Sequence, residues 1–279
     1  MTRTRAGLDK VAWDKNDEDS EQSQRKLRHK LICRQVKDLV ERTFQERAKL
    51  VSPLIIGGFR ILYRFEFERQ GENRDELLTR SDILVRLPIP HLAQFPDEKT
   101  HQEATTARLV RQTTDLPLPQ VLHHGRDEML GSHLIIQYVE HQRDMCDALA
   151  IPTDDFSLTP VPNPDLSGSE LKNLYGKMAR CLLQLYRLSF PRIGSLLEDE
   201  CGNISVAGRP VTQNMNNMLQ LADIPRSVLP KQSKTYNTTD EWYTALAEMH
   251  MAQLVFQHNA LVTSEDDCRK KIRRPSVFP

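Results

Sequence analysis

Positions 54–67 read LIIGGFRILYRFEF. The apolar start of this stretch is followed by Gly57 and Gly58, after which Tyr63, Phe65 and Phe67 alternate with charged residues. Such alternation is typical of a half-buried strand, and a pair of glycines between two apolar runs indicates a tight turn. The stretch therefore predicts a strand, a Gly-Gly turn and a second, half-buried strand.

The sequence on both sides of this hairpin extends it into a small α+β unit. Residues 1–24 lie before the unit and carry many charges with little to bury, which favours a flexible or peripheral arm. The predicted elements of the unit are a helix from Arg25 that ends before Pro53, a third strand at 82–87 after a polar stretch containing 71–73, a helix at 97–113, and strands at 120–124 and 132–139. We therefore expect a five-stranded antiparallel sheet with one inserted helix over residues 25–140.

The remaining residues, 141–279, are predicted to be mostly helical. Leucines spaced along one wide face give the clearest helix, and proline-rich and glycine-rich segments separate it from its neighbours. The predicted elements are a loop at 151–169, a helix at 171–188, a short hairpin near 204–206, and a helix at 241–262 capped by Asp240. Asp266 is expected to start one more helix.

Composition excludes several classes of partner. The 279 residues include 38 Lys and Arg and 38 Asp and Glu, so the formal net charge is zero and no overall field favours nucleic acid or acidic lipid. The charged N-terminus lacks the core of a signal peptide, and no stretch approaches the roughly 18 apolar residues of a spanning helix. We therefore expect no membrane association. The scattered cysteines, without a C-x-x-C pair, predict free thiols and a cytoplasmic location. They are Cys33, Cys146, Cys181, Cys201 and Cys268.

Four residues in the first half have the chemistry of a phosphate site. Gly57 and Gly58 would let backbone N–H groups approach phosphate oxygens without a Cβ in the way. Arg86 lies on the third strand, and Glu103, in the middle of the helix, is a carboxylate with which its guanidinium could pair. Each residue also has a plainer interpretation, namely a tight turn, a strand-edge charge and a solvated helix residue. Their joint order favours a kinase-type nucleotide cleft.

Six segments together resemble the aminoglycoside phosphotransferase (APH) family, in its fungal branch, over about residues 25–274. They are IGGF at 56–59, LVRLP at 84–88, EAT at 103–105, LPLPQVL at 116–122, FPRIGSL at 190–196 and DDCRKK at 266–271. The resemblance implies a protein-kinase-like fold and transfer of the γ-phosphate of ATP, with Mg²⁺, to a small hydroxylated acceptor whose identity stays open.

The resemblance also implies roles for individual residues. Gly57 and Gly58 would lie over the nucleotide, Arg86 would occupy the position of the phosphate-binding lysine, and Glu103 would be its partner. The backbone from Gln137 to Val139 would be the hinge that meets adenine.

The chain departs from the family pattern in two ways. Arg86 stands where the family has lysine, and its longer, planar guanidinium changes the geometry with which phosphate is bound. The family also continues to a catalytic loop of the His-Gly-Asp type and to a metal-binding Asp, and neither occurs here before Pro279. We therefore expect an incomplete helical C-lobe over 141–279, truncated at its C-terminal end, and little or no phosphotransfer by this chain.

One segment imitates the missing loop. Residues 123–127 read HHGRD, but they lie between two strands of the sheet and ahead of the hinge, so we expect a β-turn there. The alternative is that His124 acts as a general base.

Three further hypotheses stay open. The protein could be a non-catalytic relative that binds nucleotide or a partner, in the manner of a pseudokinase. The basic run at 269–274 could bind nucleic acid, although a solvated helix end is the plainer interpretation. Asp154-Asp155 and 265–267 could hold a metal, although loop polarity and helix capping explain them as well.

Overall fold

Five antiparallel strands form a sheet, as the sequence predicts, and a largely helical part follows this sheet. The computed structural model describes residues 10–67, 82–141, 144–153, 159–222 and 224–256. The strands are β1 (Ala48–Ile56), β2 (Arg60–Phe67), β3 (Ile83–Pro88), β4 (Val121–Asp127) and β5 (Gly131–Gln137), in the order β1-β2-β3-β5-β4, with a separate hairpin of β6 (Ser195–Glu198) and β7 (Ile204–Gly208). The helices are α1 (Lys10–Leu27), α2 (Lys30–Phe44), α3 (Pro96–Thr113), α4 (Met145–Leu149), α5 (Gly168–Tyr186), α6 (Gln213–Leu221) and α7 (Thr239–Phe256). The predicted α+β fold class is confirmed.

Alternation along the strands gives the sheet two different faces. Tyr63 and Val85 are opposite each other in the β2–β3 register and are fully buried, together with their same-face neighbours. Val36 and Val40 of α2 pack on this face, so the main apolar core lies between α2 and the sheet. Arg86, the next residue along β3, therefore projects to the opposite face, where α3 lies against β4 and β5.

A second, smaller core holds the C-terminal part together. Met215 and Met218 of α6 are buried with Phe95, which precedes α3, and with Met249 of α7. The β6–β7 hairpin also contacts α3. Helix α3 is therefore shared by the sheet and by the C-terminal part.

Several sequence expectations need correction. The part of the predicted flexible arm from Lys10 onwards is helical, as α1, and Asn16 on this helix accepts a hydrogen bond from Gln220 of α6 at 2.7 Å. Residues 123–127 belong to strand β4 and do not form a β-turn, because the turn comes later: Asp127 Oδ1 accepts hydrogen bonds from Met129 and Leu130. Helix α7 is capped by the Thr238 hydroxyl, which accepts from the Glu241 N–H; the expected cap, Asp240, lies within the first turn.

The structure also bears on the expected absence of a membrane span and on the expected free thiols. None of the helices in the described ranges has the length and apolar composition needed to cross a bilayer. Within the same ranges four cysteines have free thiols, whereas Cys268 lies outside them.

Candidate functional site

An ion pair joins the two residues that the sequence singled out on β3 and α3. Arg86 Nη1 donates to Glu103 Oε1 at 2.5 Å, and Arg60 Nη2, from the start of β2, pairs with Glu103 Oε2. The predicted pairing of Arg86 with Glu103 is therefore confirmed, and Arg60 is an unpredicted third member. Both carboxylate oxygens of Glu103 are engaged by a guanidinium.

The environment of Arg86 is unusual for an arginine. Burial lowers the pKa of its guanidinium and the neighbouring Arg60 lowers it further, while Glu103 raises it. Because the ordinary pKa of an arginine lies far above neutral pH, the guanidinium stays charged despite this lowering. Its Nε is buried and has no hydrogen-bond partner within the described part of the chain. The site therefore holds a partly desolvated cation with one donor unused.

The Gly57-Gly58 turn lies at the same end of the sheet. The Gly57 N–H donates to the Arg60 carbonyl at 2.8 Å, which closes the turn. Neither glycine has a positive φ, and a Cβ added to Gly58 would meet no atom within 4 Å. The fold itself gives no steric or conformational reason for glycine at position 58.

A pocket of about 400 Å³ opens between this turn, α3 and α6. Arg60 and Arg86 line it from the sheet, Lys99 lines it from α3, and Thr212 and Gln213 bring the N-terminal end of α6 to its wall. This volume lies within the usual range for small-molecule sites. The other lining residues are Gly57, Gly58, Phe59, Leu62, Pro88, Ala93, Phe95, Pro96, Thr100, Val211 and Asn216.

The predicted hinge lies at the other end of the sheet and does not line this pocket. Gln137 pairs with Ile83, three register positions along β3 from the position at which Arg86 pairs with Leu134. At about 3.3 Å per residue, that separation is roughly 10 Å along the strand. The backbone N–H of Gln137 donates to Gln120, and Val139 is about half exposed. Gly57, Gly58, Arg86 and Glu103 thus come together, and Gln137 and Val139 stand apart from them.

Sequence reasoning missed two cations of the site. Leu62 lies opposite Arg86, and Arg60 shares the strand face of Leu62 because every second residue of β2 faces the same way. This periodicity puts Arg60 on the same face of the sheet as Arg86. Lys99 precedes Glu103 by four residues on α3, which puts both on one helix face. The wall built by α6 gave no comparable signal.

His124 belongs to a different cluster. Its ring lies edge-on to His101 of α3, with 5.6 Å between ring centroids, near the ion pair of Arg108 with Glu198. Burial is the main cause that lowers the pKa of His124, and His101 and Arg108 lower it further. It does not line the pocket at the Gly-Gly turn.

Other predicted residues lie outside the described ranges: 71–73, Asp154-Asp155, the acidic 265–267 and the basic 269–274. Among the residues that the structure does describe, no group of three or more His, Cys, Asp or Glu side chains is arranged to hold a metal ion.

Comparison of the chain with protein-family models, with curated proteins and with solved structures gives no match. The structure shows a five-stranded antiparallel sheet followed by helices, and the comparisons assign no family to the chain.

Proposed function

We propose that this protein is an APH-like phosphotransferase relative that binds ATP at the Gly-Gly turn and that this chain binds the nucleotide without transferring its phosphate. The observation that carries the proposal is the Arg86–Glu103 ion pair beside the turn. In protein kinases, a strand cation paired with a helix carboxylate holds the nucleotide phosphates. Arg86 takes the part of that cation, and Glu103 fixes its position.

Two features of the site support this reading. Glycine at position 58 faces open space, so its lack of a side chain serves close approach of a ligand better than it serves the fold. The ~10 Å between Arg86 and the Gln137 position along β3 would let the base meet the Gln137–Val139 backbone while the phosphates lie at Arg86.

The Mg²⁺ that the resemblance implies does not fit the described residues. Mg²⁺ takes oxygen ligands, chiefly carboxylates and phosphates. The carboxylate beside the pocket, Glu103, has both oxygens in ion pairs, and the lining contains no Asp or Glu. Among the described residues that line the pocket, no Asp, Glu or His is present to orient an acceptor hydroxyl, as the family's catalytic loop does. These observations favour the non-catalytic, pseudokinase-like form of the proposal.

Calorimetric titration of the full chain with ATP tests the proposal. We expect binding that weakens on the order of 10- to 100-fold in Arg86→Ala, because a hydrogen bond to a charged group is lost. Arg42→Ala is the matched control, since Arg42 is exposed and pairs with Asp127 far from the turn. Absence of ATP binding, or equal loss in both variants, would contradict the proposal.

A second assay separates the two forms of the proposal. ADP production is followed with ATP, Mg²⁺ and a panel of aminoglycosides and other polyhydroxylated acceptors. Binding without turnover supports the non-catalytic form. Acceptor-dependent turnover that Arg86→Ala abolishes would assign small-molecule kinase activity instead.

A further inference from the structure

We infer that the pocket at the Gly-Gly turn takes the polyphosphate tail of its nucleotide free of Mg²⁺, with Arg60 and Lys99 supplying the positive charge. The inference rests on the proposed function, whose ligand it specifies. It follows from the charges that line the pocket and from the ion pairs in which Glu103 is engaged.

The pocket carries an excess of positive charge. Arg60, Arg86 and Lys99 line it, and Glu103 compensates one of these three cations. Counted over the described lining residues and Glu103, the site therefore carries a net charge of +2. A concave site of one sign concentrates ligands of the opposite sign, and guanidinium groups match phosphate oxygens in geometry.

The same lining is unfavourable for a divalent cation. None of the lining residues is Asp, Glu, His or Cys. The carboxylate oxygens of Glu103 accept from Arg86 and Arg60, so coordination of a metal by either oxygen would break an ion pair. Mg²⁺ at this position would also be repelled by the three cations. The site thus provides directly the charge compensation that Mg²⁺ gives to phosphates elsewhere.

Helix α6 adds donors without adding negative charge. Val211, Thr212 and Gln213 bring its N-terminal end to the pocket wall. A helix N-terminus carries a partial positive charge and unsatisfied N–H groups, which favour an anion. Since the Thr212 hydroxyl already accepts from Met215, the remaining N–H groups of the first turn are the relevant ones.

The expected ligand preference follows from Coulomb attraction. Mg²⁺ cancels two negative charges of a triphosphate, so the metal complex is attracted less strongly than the free tetra-anion. We expect free ATP to bind severalfold more tightly than its Mg²⁺ complex. Added salt should weaken both, and the free nucleotide more, because screening acts in proportion to charge.

The experiment is calorimetric titration of the full chain with ATP, once in EDTA and once in excess MgCl₂. In EDTA, Arg60→Gln and Lys99→Gln should each weaken ATP binding on the order of tenfold, and Arg42→Gln should leave it unchanged. Lys99→Gln removes a charge without freeing an oxygen of Glu103. If both variants weaken ATP binding to a similar extent, the loss of affinity is therefore due to the loss of positive charge. Urea unfolding of each variant checks that it is folded.

Tripolyphosphate, titrated in EDTA, distinguishes this inference from the proposed function. If ATP binds only with Mg²⁺, the inference is overturned and the proposed function stands. If tripolyphosphate binds and ATP does not, the anion pocket stands and the adenine nucleotide is the wrong ligand. If neither binds, both are wrong.

Discussion

Arg209→Ala tests how the C-terminal part is held to the sheet. Arg209 follows β7 and is 7% exposed. Its Nε and Nη2 donate to the two oxygens of Glu98, on the first turn of α3, at 3.0 and 2.6 Å, and its Nη1 donates to the Pro230 carbonyl at 2.5 Å. The guanidinium also lies 5.0 Å from the centre of the Phe95 ring. One side chain thus joins three segments of the chain.

The magnitude follows from what the substitution leaves behind. Removing one partner of a buried ion pair costs about 3–5 kcal/mol, because the other charge stays buried without compensation. Glu98 would retain a hydrogen bond from Gln232 at 3.2 Å, and its side chain is 18% exposed. We therefore expect the lower end of that range, about 3 kcal/mol. Arg209→Lys keeps the charge but loses the two-pronged geometry, so its cost should be smaller.

Urea unfolding of the full chain, followed by circular dichroism, measures this cost. Arg126→Ala is the matched control. Arg126 pairs at 2.5 Å with Asp97, the residue next to Glu98 on α3, and the Arg126 side chain is 70% exposed. An exposed pair is worth about 0–1 kcal/mol. If Arg209→Ala costs no more than Arg126→Ala, the buried pair does not stabilise the fold.

Three further predictions use other parts of the structure. Gly58→Ala should leave the urea midpoint unchanged, because a Cβ there meets no atom within 4 Å, yet it should weaken ATP binding in the titration; an unchanged affinity would contradict the role given to the turn. Burial lowers the pKa of His124 and His133. Their contribution to stability should be complete above about pH 6.5 and be lost as the pH falls through their folded pKa values, at no more than about 1.4 kcal/mol per pH unit for each histidine. Urea midpoints between pH 7.5 and 5 measure this loss of stability. Replacing both histidines with Asn should make the midpoint depend less on pH. Tyr63→Phe should cost about 1 kcal/mol in urea unfolding, because the fully buried hydroxyl donates to the Leu27 carbonyl at 2.6 Å, which would be left without that donor; a neutral result would refute this.

The sheet and the Arg86–Glu103 pair are predictable from sequence for different reasons. Alternation shows which residues of β2 and β3 share a face. The order of a basic strand residue followed by an acidic residue in the middle of a helix suggests the pair. The sequence predicts that β1 starts at Leu54, because Pro53 argues against a strand. In the structure β1 is an edge strand with a register shift between Val51 and Ile55, where a proline is tolerated.

Elements that depend on distant partners could not be predicted. Helix α1 is strongly polar, so no apolar stripe announces it, and it is tied to the rest through polar contacts such as Asn16 with Gln220. The pocket wall from α6 depends on the second core, whose members are far apart in sequence. Local pattern therefore predicted two sides of the candidate site, and long-range packing supplied the third.

The placement of α3 has a consequence for how the protein can change over time. Glu98 and Glu103 lie little more than one turn apart on this rigid rod, the first bound to Arg209 and the second to the arginines of the pocket. A shift of α3 would move both Glu98 and Glu103. A ligand that favoured one position of the pocket arginines would then also favour one position of Arg209, and by linkage the reverse would hold by the same amount. Substitutions at positions of the C-terminal part that do not line the pocket would then be selected through their effect on ligand binding in the pocket.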